Sequence, residues 1–379
     1  MGKVIKFIKD NKDVLICYLG SKILFILVLL ITQRPYAEVL GLFDAEHYRD
    51  IAQFGYYVDG VTVFFPVVPL LLRFTGSAGL IVINQIAYIA SLYYLKRIVL
   101  KFATETRAVL VLALVAVSPL SLFTSIEYTE ALFFFLTVTA FFLFTEDKLP
   151  VLTGLLLGLS VATRNTGSLL FFAVFAGMVM RAAGNRKDIK GHISKILLCF
   201  VPATMISLIY PVFLQIRFGN WKVFMDAQYD YWIRMRSDIF RTVYISLKVI
   251  FTNIYTFDGT VDTIILFKIN EILSTGCLAL SVLLIAREIL RMRRQGKINI
   301  NVTCAVIYSV LFILAIGLTI RDPALDCPTA SFYRYYASMF PLYLGLGRLN
   351  DKQVKISFAV TALITVLTSA VFVMGAYFY

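Results

Sequence analysis

The stretch VLICYLGSKILFILVLLIT (Val14–Thr32) carries a single charge, Lys22, in 19 residues. As a helix, an apolar run of that length covers the roughly 30 Å of a bilayer's hydrocarbon core. Comparable runs recur to the end of the chain. They predict spans at Val14–Thr32, Ser77–Leu95, Ala108–Thr124, Thr129–Phe144, Pro150–Thr163 and Thr166–Met180. Ile193–Ile216, Asp262–Ala286, Val302–Ile320, Phe332–Gly347 and Ile356–Phe378 follow. With 59% hydrophobic residues and a mean hydropathy of +0.81, the composition lies outside that of soluble domains. The expected fold class is an all-α polytopic membrane protein with about 11 transmembrane helices. No segment between the runs is long enough for a core of its own, so residues 1–379 read as one domain.

The net charge of +13 could indicate a nucleic-acid partner, but its distribution excludes that. Counted on alternate sides of the spans, 22 of the 36 Lys and Arg fall on the side of the N-terminus, which places that side in the cytoplasm. The basic start, with no small-residue cleavage site after the first span, reads as a signal anchor. Five cysteines without CxxC spacing and only two histidines exclude a disulfide framework and a His-rich zinc site.

Polar groups gather on the other side. Two long loops lie there, 33–65 and 217–261, the second rich in aromatic and basic residues that suit helices lying at the lipid interface. Isolated charges mark the ends of other spans on that side: Glu127, Glu130, Arg164, Arg321, Asp322, Asp326 and Arg334. Ionisable groups at membrane depth are costly and normally face a cavity or a partner. An outward-facing polar cavity is the natural inference.

The densest cluster is GLFDAEHYRDIAQFGY, residues 41–56. It predicts a short interfacial helix with Asp44 as its N-cap, Phe43 stapled on Tyr48, and Gly55 as its end. Tyr48, Ile51 and Ala52 share one face; Glu46, Arg49, Asp50 and Gln53 take the other. Beyond it, FFPVVP (Phe64–Pro69) sets the angle at which the chain turns back.

An Asp-bearing helix followed by IAQFGY (Ile51–Tyr56) and FFPVVP resembles the start of the PIG-V-type mannosyltransferases. These belong to the GT-C superfamily of polyprenyl-phosphate-sugar-dependent glycosyltransferases. EYTEALFF (Glu127–Phe134), ATRNTGSLL (Ala162–Leu170) and FYRYYASMFPLYLGLG (Phe332–Gly347) extend the resemblance in the same order. Phe43 stands where that family commonly has Trp.

The resemblance implies transfer of a hexose, mannose in that family, from a polyprenyl-phosphate donor to a hydroxyl of a glycolipid or glycan acceptor. Such chemistry needs a base for the acceptor proton and donors for the leaving phosphate. Asp44 corresponds to the family's catalytic Asp, with Glu130 as a second carboxylate. Each also has a plainer role, as a helix cap and as a charge favoured by the helix dipole. Arg164, Arg334 and His47 are candidates for the donor phosphate. Arg164 could instead pair with Glu130 or Asp322, Arg334 could anchor to headgroups, and His47 could merely fill a helix position. Tyr48, Glu127, Tyr128, Asn165 and Tyr335 would complete the substrate cavity. No cofactor is implied, although Asp44, Asp50, Glu127 and Glu130 could hold a divalent ion.

A transporter or flippase for a lipid-linked or anionic solute is the competing reading, and a non-catalytic subunit a third. A transporter would carry charges at mid-membrane in several spans. Here the span centres are nearly uncharged, apart from Lys22 and, near the outer start of theirs, Lys268 and Glu271. The active face would be extracellular in a prokaryote and luminal in an endoplasmic reticulum.

Overall fold

The computed structural model describes residues 10–252, 261–296, 298–322 and 327–375, with side chains from 265 onward in the second of these stretches. Lys3, Lys6 and Lys9 of the basic arm, part of the 217–261 loop, Asp326, Lys297 and the last residues of the final predicted span lie outside them. The first predicted span is one helix, α1 (Lys12–Thr32). Two short helices follow, α2 (Tyr36–Leu40) and α3 (Asp44–Phe54), and the chain leaves the second through Gly55 at φ 74°. After a 3-10 turn at Asp59–Val63, Pro66 leads into α4 (Val67–Val99), which is kinked at Gly76. The predicted span Ser77–Leu95 is the second part of that longer helix.

Two predicted spans are broken. Within Ala108–Thr124, α5 (Glu105–Ala116) stops before Pro119, and the one-turn helix α6 (Leu120–Phe123) starts after it. Proline has no N–H with which to continue the helical ladder. Next come α7 (Glu130–Glu146), α8 (Pro150–Thr163), α9 (Gly167–Gly184) and α10 (Ile189–Phe218). The 17-residue α7 is buried almost throughout, so Phe133, Phe134 and Phe141 are packing residues and not a lipid-facing surface.

The loop between residues 219 and 260 contains α11 (Val223–Asp230), strand β1 (Arg234–Arg236) and α12 (Ile239–Phe251). α13 (Val261–Gln295) and α14 (Ile300–Gly317) precede strand β2 (Thr319–Arg321). β1 and β2 pair antiparallel, with Arg234 opposite Arg321 and Met235 opposite Ile320. Beneath this ribbon, buried Glu271 of α13 accepts from the backbone N–H of Thr329 at 2.9 Å and from Cys327 Sγ at 2.9 Å, fixing the segment that follows β2.

The predicted span Phe332–Gly347 divides at Met339 into α15 (Phe332–Ser338) and α16 (Phe340–Leu346). Pro341 cannot donate to the Ala337 carbonyl four residues back, and the Tyr343 hydroxyl donates to it instead, at 2.8 Å. α17 (Asp351–Val373) closes the chain behind an Asn350–Gln353 capping box.

Among the described residues, α1, α4, α9, α10, α13, α14 and α17 are long and apolar enough to cross a membrane. They surround the short, buried α5, α7 and α16, whose side chains form the main core with Leu157, Val174 and Phe312. Outward, the long helices expose apolar residues such as Leu30, Ile209, Leu283 and Leu363, each more than half exposed. In water that surface would be costly; against lipid it is not.

Candidate active site

The site is assembled around the turn between α6 and α7, TSIEYTE (Thr124–Glu130), whose residues are all buried. Non-helical backbone this deep needs internal partners for its polar groups. α1, α2 and α4 supply them. Asn84 Nδ2 donates to the carbonyls of Ile126 at 3.1 Å and Tyr128 at 3.3 Å, and Gln85 Nε2 donates to that of Thr124 at 2.8 Å. The Tyr36 hydroxyl donates to the Ser125 carbonyl at 2.6 Å. Lys22, the lone charge of the first span, donates to Thr124 Oγ1 at 2.9 Å and Ser125 Oγ at 2.8 Å, beneath the rings of Tyr18 and Tyr88.

So held, the turn presents two carboxylates to arginines from distant elements. Glu127 accepts a bidentate pair from Arg49 of α3, at 2.6 and 3.0 Å. That hydrogen bonding pushes the Arg49 guanidinium further up from its ordinary range. Gly41 leaves the space that Arg49 occupies, since a Cβ there would fall 2.2 Å from Arg49 Nη1. Glu130, fully buried, accepts at Oε1 from both Arg334 Nε at 2.5 Å and Arg164 Nη1 at 2.6 Å. Arg334 also donates from Nη2 to Asp44 Oδ2 at 2.7 Å, with its guanidinium over the rings of Tyr128 and Phe123. The result is one chain of charges: Asp44, Arg334, Glu130, Arg164.

Asp44 is therefore not the helix cap. α3 starts at Asp44 itself, Phe43 takes the cap position at φ 53°, and the Asp44 side chain turns to Arg334. Nor does Phe43 staple onto Tyr48. Its ring lies 5.2 Å from that of Phe372, while Tyr48 packs edge-on against Phe64. The Tyr128 hydroxyl ties down the start of α3, accepting from the Asp44 backbone N–H at 3.2 Å and donating to the Leu42 carbonyl at 3.1 Å. Long-range charge pairing has overridden a sound local motif.

The short turn between α8 and α9 delivers Arg164 and Asn165. It closes through the Gly167 N–H on the Arg164 carbonyl at 2.9 Å. A Cβ on Gly167 would meet the backbone of Ser160 and Val161 at 2.4–2.6 Å, so only glycine allows this approach.

In front of these groups lies a cavity of about 520 Å³. Its wall includes Asp44, Tyr48, Arg164, Asn165, Arg334 and Tyr335, drawn from three separate parts of the sequence. The Asp44 side chain is 24% exposed, against 4% for Arg334 and 11% for Arg164. Asp44 is the one carboxylate among the described wall residues. Burial first, and then the Asp44 carboxylate, push the Tyr48 phenol well above its ordinary value, so it stays protonated and can donate.

Other predicted site residues lie elsewhere. Glu127, Tyr128 and Glu130 sit behind the wall, fully buried. His47 stacks on Phe64 at 4.9 Å with Trp232 edge-on at 5.3 Å, off the wall. Among the described residues no group of three or more His, Cys, Asp and Glu could hold a metal ion. Of the carboxylates considered for an ion, Asp44, Glu127 and Glu130 each accept from arginine. Wall residues not singled out from the sequence are Gln228, Tyr229, Trp232 and Arg234. Their only signal was the aromatic and basic character of the 217–261 loop. Arg321, noted only as a charge at a span end, also lines the wall.

No family model matches the sequence, and no curated protein matches it. Among solved structures the chain is similar to the oligosaccharyltransferase of Archaeoglobus fulgidus. With an acceptor peptide tethered to that protein, the TM-score is 0.49 at 14% identity, over 98% of this chain and 55% of that one. For its apo form the TM-score is 0.49 at 15% identity, over 97% and 56%. For its complex, as AglB, with an inhibitory peptide and a dolichol-phosphate, the TM-score is 0.46 at 15% identity, over 98% and 56%. The chain spans just over half the length of these structures.

Proposed function

We propose that the chain is an inverting glycosyltransferase of the PIG-V-type, GT-C class. It would move a hexose, mannose by the motif resemblance, from a polyprenyl-phosphate donor to a hydroxyl of a glycolipid or glycan. In this reading the N-terminus is cytoplasmic, the chain crosses the membrane about eleven times with the short helices counted, and the cavity opens on the extracellular or luminal face.

The observation that carries the reading is the state of Asp44. Its Oδ2 accepts from Arg334, while Oδ1 has no protein hydrogen bond among the described residues and belongs to a side chain on the cavity wall. A carboxylate oriented through one oxygen and accessible at the other is arranged as a general base. The acceptor hydroxyl attacks the anomeric carbon, and its proton passes to Asp44. The bond from that carbon to the phosphate oxygen breaks, and its electron pair leaves with the lipid phosphate. Glu130 takes no proton in this scheme; it holds Arg334 and Arg164 in place. Among the described residues Arg164 makes its hydrogen bonds through Nη1 alone, which leaves Nε and Nη2 to face substrate. The transporter reading loses support at Lys22, which is bonded into the wall of a fixed turn.

The test is sugar transfer by the purified protein in lipid, with labelled polyprenyl-phosphate mannose and a membrane extract as acceptor pool. Wild type is expected to label a product, and Asp44→Asn to label none while still binding donor. Full activity in Asp44→Asn would remove the base assignment. No transfer by wild type with any lipid-linked hexose would remove the enzyme reading.

A further inference from the structure

α7 starts at Glu130, behind the outward cavity, and a second cavity lies at its other end. This cleft, of about 130 Å³, is walled by the far ends of α4, α7, α13, α14 and α16. The same end of the bundle holds the start of α1, where Asp13 pairs with Lys96 of α4 at 2.9 Å. By the distribution of Lys and Arg it is the cytoplasmic end. The interior is apolar, with Phe102, Leu284, Ala305, Val306 and Leu342 on its wall. Its serine hydroxyls are engaged by their own helices, Ser281 donating to the Cys277 carbonyl and Ser309 to that of Ala305, each at 2.8 Å. Ile285, Val302 and Val306 are only partly buried, so the cleft is not closed over. Its deep end reaches Met339 and Pro341, the break between α15 and α16.

The rim is charged. Lys101 donates to Thr145 Oγ1 at 2.7 Å and pairs with Glu146 at 2.5 Å. Arg348 pairs with Glu288 above the ring of Phe102. These charges balance; the excess comes from α13. Ser281, Leu284, Ile285 and Glu288 recur at the spacing of one helix face, and Arg291 continues that face past the rim. Arg287 donates from Nη2 to the Arg348 carbonyl at 3.2 Å. With Arg293 and Arg294, the end of α13 sets four arginines against the single acid Glu288. Among the described residues none of those four has an ion pair. Burial, first, holds the Arg348 guanidinium below its ordinary range; Glu288 opposes this and the like charge of Arg291 adds to it. An anion at the rim would relieve that crowding.

Positive charge above an apolar cleft fits a molecule with an anionic head and a hydrocarbon chain. Along α14 the lining runs from Asn301 at the rim to Ser309, roughly 12 Å of helix into the span. A water-soluble anion needs only the rim and gains nothing from the cleft beneath it. We infer that the cleft binds an anionic phospholipid of the inner leaflet. Its phosphate sits at Arg287, Arg291 and Arg348, and one acyl chain lies between α13, α14 and α16. Basic pockets between membrane helices on the cytoplasmic side are suited to such headgroups. The chain ends against Met339 and Pro341, behind the break that leads into α15 and Arg334. The inference stands apart from the enzyme reading, because no residue of the outward cavity takes part in it.

The test is photo-crosslinking of the full chain in nanodiscs of phosphatidylcholine. They carry a trace of phosphatidylglycerol with a diazirine on one acyl chain. Crosslinks are expected at 302–309 of α14 and 339–345 of α16, which line the cleft. Unlabelled phosphatidylglycerol is expected to suppress them, and glycerol phosphate, a headgroup without a chain, to leave them unchanged. Arg287→Gln/Arg291→Gln keeps the Arg348–Glu288 pair and is expected to cut cleft labelling about tenfold. Its unfolding midpoint in neutral lipid shows whether it is folded. Crosslinks confined to the exposed faces of α13, such as Leu283 and Leu290, overturn the proposal, since they mark only lipid surrounding the protein. Suppression by glycerol phosphate overturns the lipid part. Equal labelling by a diazirine phosphatidylcholine, or unchanged labelling of the folded Gln pair, overturns the preference for an anion. Should the Gln pair not fold, salt decides on wild type: labelling that high salt leaves unchanged overturns that preference.

Discussion

Asp44 and Arg334 lie 290 residues apart in the chain and meet through a hydrogen bond of 2.7 Å, Arg334 Nη2 donating to Asp44 Oδ2. The same guanidinium reaches Glu130 through Nε. One buried side chain thus joins the helix after the first span, the start of α7 and the broken α15–α16 pair.

Arg334→Gln is expected to destabilise the protein by about 3–5 kcal/mol, because it strips Asp44 of its cation and leaves Glu130 with one. Thermal unfolding in nanodiscs checks this. Adding Glu130→Gln should cost less than the sum of the single changes, since both act on one bond. Strict additivity would show that the pair does not interact as described.

Asp44→Asn should separate activity from stability. The amide oxygen can still accept from Arg334, so the unfolding midpoint is expected to stay near that of wild type. Transfer is expected to fall by about two to four orders of magnitude with the loss of the base. Glu130→Gln should differ, lowering stability and activity together. The two variants behaving alike would argue against separate roles.

Asn84→Leu removes a donor from two buried carbonyls; that of Ile126 keeps the Tyr128 N–H at 2.8 Å, while that of Tyr128 loses its Asn84 partner, at an expected cost of about 1–3 kcal/mol. Lys22→Met acts on the same turn from α1. Both are expected to reduce kcat more than donor binding, because the turn places Glu130 and Tyr128 behind the base. If donor affinity alone falls, the turn belongs to the binding surface.

Gly167→Ala inserts a methyl group into backbone at 2.4–2.6 Å. An overpacking cost of about 1–3 kcal/mol is expected, with displacement of Arg164 and reduced transfer. Gly184→Ala, where no atom lies within 4 Å, is the control and should be close to neutral. Equal tolerance at both positions would refute the close approach of α8 and α9.

Much of the helical layout was legible because membrane spans announce themselves locally, through apolar length. The stopping points were less so. The predicted spans Ala108–Thr124 and Phe332–Gly347 ran straight through Pro119 and Pro341, and that each break leaves short buried helices inside a ring of longer ones depends on what surrounds them. Asp44 illustrates the limit most clearly. Its neighbours spell a cap and a staple, and a window of a dozen residues contains no hint of Arg334.

From its own pattern the chain dictated helices, their apolar surfaces, the α3 helix with its glycine end, and the clustering of charge toward one end of the bundle. These follow from solvation and local geometry, which act over a few residues. Tertiary structure alone decided which carboxylate meets which arginine, that Glu127 and Glu130 lie behind the cavity wall while Asp44 lies on it, and that Arg234 faces Arg321. Charge pairs of this kind form between segments hundreds of residues apart, and burial determines their partners only once the helices have packed.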